Sequence, residues 1–295
     1  MNVSKSAIRF SPAALLFISL LCFVSPVAAQ KDKPSTQPSA PPLTRTTARQ
    51  GVFRLAYGGT LTITGAPAGS ITIEGWQRNE VELTAEIWLQ AGSAQDLDRL
   101  QAVNSFAVDE DANHMRILTT GTHDKTYMKR VAKDFPKSLR GLPWRIDFHL
   151  KVPALLDLEI DAGNGPIKIS GVEGAIRLNA FQSVTDLTLT GGMVMATVQV
   201  GVINITVPAR GWHGLGAEIK VANGNLNLEL LPGFHADIDA TVLRAGEIKN
   251  TYPNLEPRER GGIGPRSLRV RAGSGGASLS FTVGNGTIQI KQSNQ

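Results

Sequence analysis

A single cysteine, Cys22, occurs among 295 residues, and none follows it. The body of the chain therefore has no disulfides, no thiolate nucleophile and no zinc–thiolate site. Its stability has to come from a hydrophobic core, which a chain of this length can build. Aromatics make up 6% of the residues, too few for the bulky interior of most sandwiches. No apolar run reaches the ~20 residues needed to span a bilayer. The longest, residues 13–24, is a dozen residues long and follows Lys5 and Arg9.

Charge of one sign is also missing where it would matter. The formal net charge is +5, but Lys5, Arg9, Lys31, Lys33, Arg45 and Arg49 stand against Asp32 alone before residue 51. From Gly51 onward 24 basic residues meet 24 acidic ones, so that part is neutral overall. A nucleic-acid binder would keep a basic footprint on the domain itself, so nucleic acid is not an expected partner.

The charged start, the short apolar run and the small residues Val27-Ala28-Ala29 read as an export signal over residues 1–29, cleaved after Ala29. Leu21 before Cys22 is not the small residue a lipid-anchoring signal needs. Residues 30–50 are rich in Pro, Ser, Thr and Gln with no hydrophobic period, and read as an extended linker. The expected location is outside the cytoplasm: periplasm, cell surface or medium.

Residues 51–295 read as one all-β domain, with residues 51–150 as a less regular part and 151–295 as a repetitive one. Three near-copies dominate the latter: Leu158-Glu-Ile-Asp-Ala-Gly-Asn-Gly-Pro-Ile-Lys-Ile169, Ala217-Glu-Ile-Lys-Val-Ala-Asn-Gly-Asn-Leu-Asn-Leu228 and Leu279-Ser-Phe-Thr-Val-Gly-Asn-Gly-Thr-Ile-Gln-Ile290. Each joins two alternating runs at an Asn-Gly, which tolerates positive φ. The glycines lie 59 and 62 residues apart, room for about three ~20-residue coils each. Asn-Gly is equally a hairpin signal, so a meandering β-sandwich fits the same spacing. The inward Ile167/Ile169, Leu226/Leu228 and Ile288/Ile290 suit a narrow, aliphatic β-helix-like stack of short strands. Ser93 caps one predicted helix reaching Val103, with Leu97, Leu100 and Val103 on one face. The runs Leu61-Thr-Ile-Thr and Ser70-Ile-Thr-Ile-Glu are expected to form one strand pair around Gly65 to Gly69.

The strand pair Gly59-Thr-Leu-Thr-Ile and Gly69-Ser-Ile-Thr-Ile-Glu-Gly, the step Leu150-Lys-Val-Pro153 and serial strands such as Gly165-Pro-Ile-Lys-Ile-Ser-Gly171 together resemble the bacterial putative-adhesin domain family. This is a family of unknown function in cell-envelope proteins. The resemblance covers residues 51–290 and implies a β-helix-like stack with no catalytic residues to carry over. Residues 123–145 have no match in the family pattern.

Candidate chemistry is sparse. Asp157, Glu159 and Asp161 alternate along one strand and share a face about 7 Å apart. Paired carboxylates at ~5–9 Å are the requirement of glycoside hydrolysis. The competing reading is a solvated face whose acids pair with cations such as Arg269 and Arg271. Asp109, Asp111 and Asn113 imitate a calcium loop, but His114 stands where the Gly belongs and Thr120 where the Glu belongs, so an acidic turn is expected. His114, His123, His149, His213 and His235 show no ligand spacing. No catalytic, cofactor-binding or metal residues are assigned.

The insert over residues 123–145 carries Lys125, Lys129, Arg130, Lys133, Lys137, Arg140 and Arg145 against Asp124 and Asp134, with Tyr127, Phe135 and Trp144 between them. Its main stretch, residues 123–142, reads as an irregular loop. The first six cations are the candidate polyanion-binding set. Solvated cations with aromatic anchors on the core are the alternative. The expected function is a non-enzymatic, adhesin-like interaction or structural module of the envelope. Its candidate partners are envelope polysaccharide, lipid head groups or another envelope protein. The alternative is a β-helix carbohydrate-active enzyme using the acid row.

Overall fold

The computed structural model describes residues 41–293. The expected leader and residues 30–40 of the expected linker lie outside the described residues. The chain begins with β1 (Leu43–Arg54), β2 (Thr60–Ala68), β3 (Ile71–Trp76) and β4 (Glu80–Ala91). Helix α1 (Ala94–Val103) leads to β5 (Ser105–Glu110) and β6 (His114–Thr120), and helix α2 (Lys125–Val131) to β7 (Trp144–Pro153). Then come β8 (Asp157–Asn164), β9 (Ile167–Ser170), β10 (Ala175–Thr188), β11 (Gly191–Val207) and β12 (His213–Leu230). The remainder is β13 (Ala236–Ala245), β14 (Ile248–Asn250), β15 (Leu255–Pro257), β16 (Ser267–Ala272), β17 (Ser278–Asn285) and β18 (Ile288–Gln292).

The strands build two faces around one aliphatic core. On the first face the neighbours run β5, β6, β2, β8, the first half of β10, β11 and β12, then β17, β13, β16 and β15; every pair from β6 to β13 is parallel. On the second they run β1, β4, β7, β3, β9, the second half of β10, β11 and β12, then β18 and β14, parallel from β7 onward. Parallel, in-register stacking of such short runs is an all-β, β-helix-like arrangement rather than a set of hairpins.

The long strands turn from one face to the other, and their burial shows where. In β10, Ile176, Leu178 and Ala180 are buried, then both Phe181 and Gln182 are exposed, and burial resumes at Ser183, Thr185 and Leu187. That one-residue slip in the alternation marks a corner, because both halves then point the same way, into the core. At the corresponding corners Gly69, Gly165, Ser183, Gly201, Gly224, Gly286 and Gly246 lie one upon the next. Six of the seven are glycine for a physical reason. At Gly224, for example, φ is +141°, and an added Cβ would fall inside the carbonyl oxygen of Gly201 on the coil beside it.

These observations revise several expectations. The Asn-Gly units are corners of stacked parallel strands, not hairpin turns. Between Gly165 and Gly224 the corner recurs at Ser183 and Gly201, so three coils fill the 59-residue interval as the spacing suggests. The next interval differs: Gly286 packs directly on Gly224, while β13 to β16 make an excursion beyond. β17 and β18 then return to fit between β12 and the pair β13–β14. β2 and β3 do not pair with each other but belong to opposite faces. The parallel stack also begins well before residue 151, and buried residues from Leu55 to Ile290 form one core.

Two boundaries change as well. The expected linker ends too late, because Leu43–Arg54 is a strand paired with β4 over twelve positions. α1 is capped by Ser93, whose hydroxyl accepts from the Asp96 N–H, and buries Leu97, Leu100 and Val103 as expected. It is not the only helix, since the expected irregular loop over residues 123–142 contains α2 and a 3-10 turn at Lys137–Leu139.

Candidate binding site

The basic insert connects β6 on the first face to β7 on the second, so it is the corner of its own coil, enlarged. Phe148 of β7 is in register with Ile71 of β3, which sets Ile146 beside Gly69. The backbone of Gly65 approaches the His123 ring. The insert thus stands at one end of the glycine corner, next to Gly69.

Local chemistry fixes its shape. The Asp124 carboxylate accepts from the N–H groups of Thr126 (2.8 Å) and Tyr127 (3.0 Å) and so caps α2. Those bonds hold its pKa below the usual carboxylate range, with help from nearby His123 and Arg130. Met128 and Leu139 are buried, and Phe135, Leu142 and Trp144 pack on the core. The His123 ring lies 5.4 Å from that of Trp144, and burial pushes its pKa below that of free imidazole against the pull of Asp124. Phe135 and Trp144 therefore anchor the insert, and the cations are left facing out.

All six candidate cations, Lys125, Lys129, Arg130, Lys133, Lys137 and Arg140, are exposed. None is ion-paired among the described residues. Only Arg145 at the insert's end is, to Asp147 at 3.1 Å, with its guanidinium 4.9 Å above the Trp88 ring. Val131, 52% exposed, sits among them.

Two hollows lie along the corner beside the insert. The nearer, about 580 Å³, is bordered by Thr84, Glu86, Arg145, Asp147 and His149 and floored by Gly69, Ser70, Gly165 and Pro166. Burial tends to raise the Asp147 pKa, but the N–H and hydroxyl of Ser70, both at 2.8 Å, and the Arg145 guanidinium outweigh it and keep the carboxylate ionised. The second hollow, about 590 Å³, starts at the same Gly165 and Pro166 and is walled by Gln182, Val184 and Val200. Beside it Phe181 (59% exposed), Val184 (50%) and Val200 (41%) leave apolar surface bare.

Sequence reasoning did not single out this corner surface. The signals were present in Phe181-Gln182, where the alternation breaks, and in Val200 just before a corner glycine.

The acid row lies on the opposite, first face. Glu159 pairs with Arg177 at 3.1 Å and accepts weakly from Thr62 (3.4 Å), and Asp157 accepts from the Ala175 N–H at 2.7 Å. The expected partners Arg269 and Arg271 are elsewhere, bound to Glu259 (2.9 Å) and Asp237 (2.8 Å). The row borders two depressions of about 150 and 190 Å³, smaller than the ~300–1,000 Å³ of ligand pockets. Asp111 accepts from the N–H groups of Asn113 and His114, making the acidic β5–β6 turn the sequence suggests. The His235 Nδ1 accepts from the Ser274 N–H at 2.9 Å, which ties down the Gly-rich turn before β17.

No family model and no curated protein matches the chain. Among solved structures it is similar to a putative cell adhesion protein from Clostridium sporogenes at 12% identity and a TM-score of 0.44, covering 84% of this chain and all of that one. A putative adhesin from Bacteroides fragilis aligns at 13% identity and a TM-score of 0.27, over 83% of this chain and 97% of that one. Another from Parabacteroides distasonis aligns at 9% and 0.24, over 84% and 97%.

Proposed function

We propose that this chain is an exported, non-enzymatic interaction module of the bacterial cell envelope, and that the insert over residues 123–145 holds an anionic envelope polymer. One observation carries the reading: six exposed cations without ion-pair partners among the described residues stand on a short segment anchored by buried Met128 and Leu139 and half-buried Trp144. A solvated face in an otherwise charge-balanced domain has no need to leave so many like charges together, because their repulsion costs stability. A ligand of opposite sign removes that cost. The acid row supports no enzymatic reading, since Glu159 is held by Arg177 and the surface there is shallow.

The test is charge reversal. Each basic residue near an anionic surface contributes about 1 kcal/mol. Lys129→Glu, Arg130→Glu and Lys133→Glu together should weaken retention on immobilised envelope polyanions by about 100-fold or more. Circular dichroism should stay unchanged, because all three side chains are exposed. Retention equal to that of the parent chain would eliminate the reading.

A further inference from the structure

We infer that the insert and the glycine corner form one continuous track, and that its ligand is an acidic polysaccharide lying along the stack; this rests on the reading of the insert proposed above. The corner is a ridge of seven stacked positions from Gly69 to Gly246, about 29 Å long at the ~4.8 Å spacing of neighbouring strands. The insert closes the Gly69 end with its unpaired cations.

The groups between the two ends select the chemistry. In the nearer hollow Arg145 is joined by two carboxylates, Glu86 and Asp147, and by Thr84 and His149. Carboxylates inside a basic site repel a ligand made only of phosphates, yet they accept hydrogen bonds from hydroxyls. A polymer with both acid groups and many hydroxyls satisfies the site at once. In the farther hollow Val184 and Val200 offer apolar surface that suits the C–H face of a sugar ring. Both hollows are open depressions along which a thin chain can lie.

The experiment uses the mature full-length chain in affinity electrophoresis and calorimetry. Its probes are polygalacturonate, neutral dextran, duplex DNA and vesicles of phosphatidylglycerol with phosphatidylcholine. Polygalacturonate should bind, dextran should not, and DNA and vesicles should bind at least about tenfold more weakly. Oligogalacturonates should gain affinity with length until they span the ridge. Val184→Ser with Val200→Ser, both at exposed positions, should weaken polygalacturonate binding about tenfold at unchanged melting temperature, and Glu86→Gln, which removes a negative charge but keeps a hydrogen-bond acceptor, should bring DNA binding closer to that of polygalacturonate. The inference is overturned if the Val184/Val200 variant binds polygalacturonate like the parent and Glu86→Gln leaves the preference over DNA unchanged, or if DNA or vesicles bind as tightly as polygalacturonate. The two ideas separate cleanly. Loss of binding in the insert triple variant but not in the ridge variants refutes the track and leaves the insert's role standing. Unchanged binding in the triple variant refutes the insert's role itself.

Discussion

At the scale of single residues, the corner ladder sets the strictest demand. Gly224 combines φ of +141° with a carbonyl of the adjacent coil where a Cβ would sit. Gly224→Ala should therefore cost about 1–3 kcal/mol, the range for a residue forced into a glycine-only conformation, before any displacement of the neighbouring coil is counted. Urea denaturation checks this, and a change below about 0.5 kcal/mol would show that the corner tolerates side chains. Ser183 shows the one way a side chain is accommodated: it turns into the core and its hydroxyl meets that of Thr185 at 2.9 Å. The need for glycine was legible in the repeated Asn-Gly pairs. Their structural meaning was not, because hairpin turns and stacked corners both call for positive φ, and only the pairing partners tell them apart.

Elements whose residues alternate or repeat into a buried face were readable, and those exposed on most sides were not. β4 alternates buried and outward residues along its length, as Glu80-Val-Glu-Leu-Thr-Ala-Glu-Ile-Trp-Leu89 does in sequence, and α1 falls where the Ser93 cap places it. β1 is an edge strand exposed or half-exposed along its whole length, so Leu43-Thr-Arg-Thr-Thr resembles a linker in composition. α2 buries only Met128 in seven residues and offers no stripe to detect, although Asp124 is an ordinary capping residue. The six candidate cations were legible as a cluster, whereas the hollows were not, because they join residues from β4, β7, β8, β10 and β11. The insert's docking carries its own pH dependence. Partial desolvation lowers the pKa of His123, whose ring lies beside Trp144 but remains partly exposed, so the docked insert favours the neutral ring. Docking is then at full strength above the free-imidazole value of about 6.5 and weakens as pH falls through it toward the lower folded value. An NMR titration should place the His123 midpoint below about 6.5, and a midpoint at or above that value would contradict the burial argument.

At the scale of the whole molecule, the parallel stack follows from repetition, but the order of its last layers does not. β17 and β18 fit between β12 and β13–β14, all of which precede them in the chain. Nothing in the local pattern of residues 278–292 distinguishes that wedge from one more layer added at the end. Deleting residues 278–295 should leave the ladders of β12 and β13 open and remove Leu279, Phe281, Val283, Ile288 and Ile290 from the core. At about 1.5–3 kcal/mol for each large apolar side chain, the five together are comparable to the whole stability of a typical domain, about 5–15 kcal/mol. The shortened chain should lose its cooperative thermal transition and aggregate through the uncovered edges. A sharp transition near that of the full chain would show that the remaining layers close on their own.

The late arrival of that wedge also governs when the protein becomes itself. While the chain is emerging, its partners must wait on either side of a vacant slot, and the long glycine ridge is interrupted at Gly286. Assembly is a keystone event: a prematurely ended copy has no finished surface to offer a ligand and is left as a substrate for proteolysis.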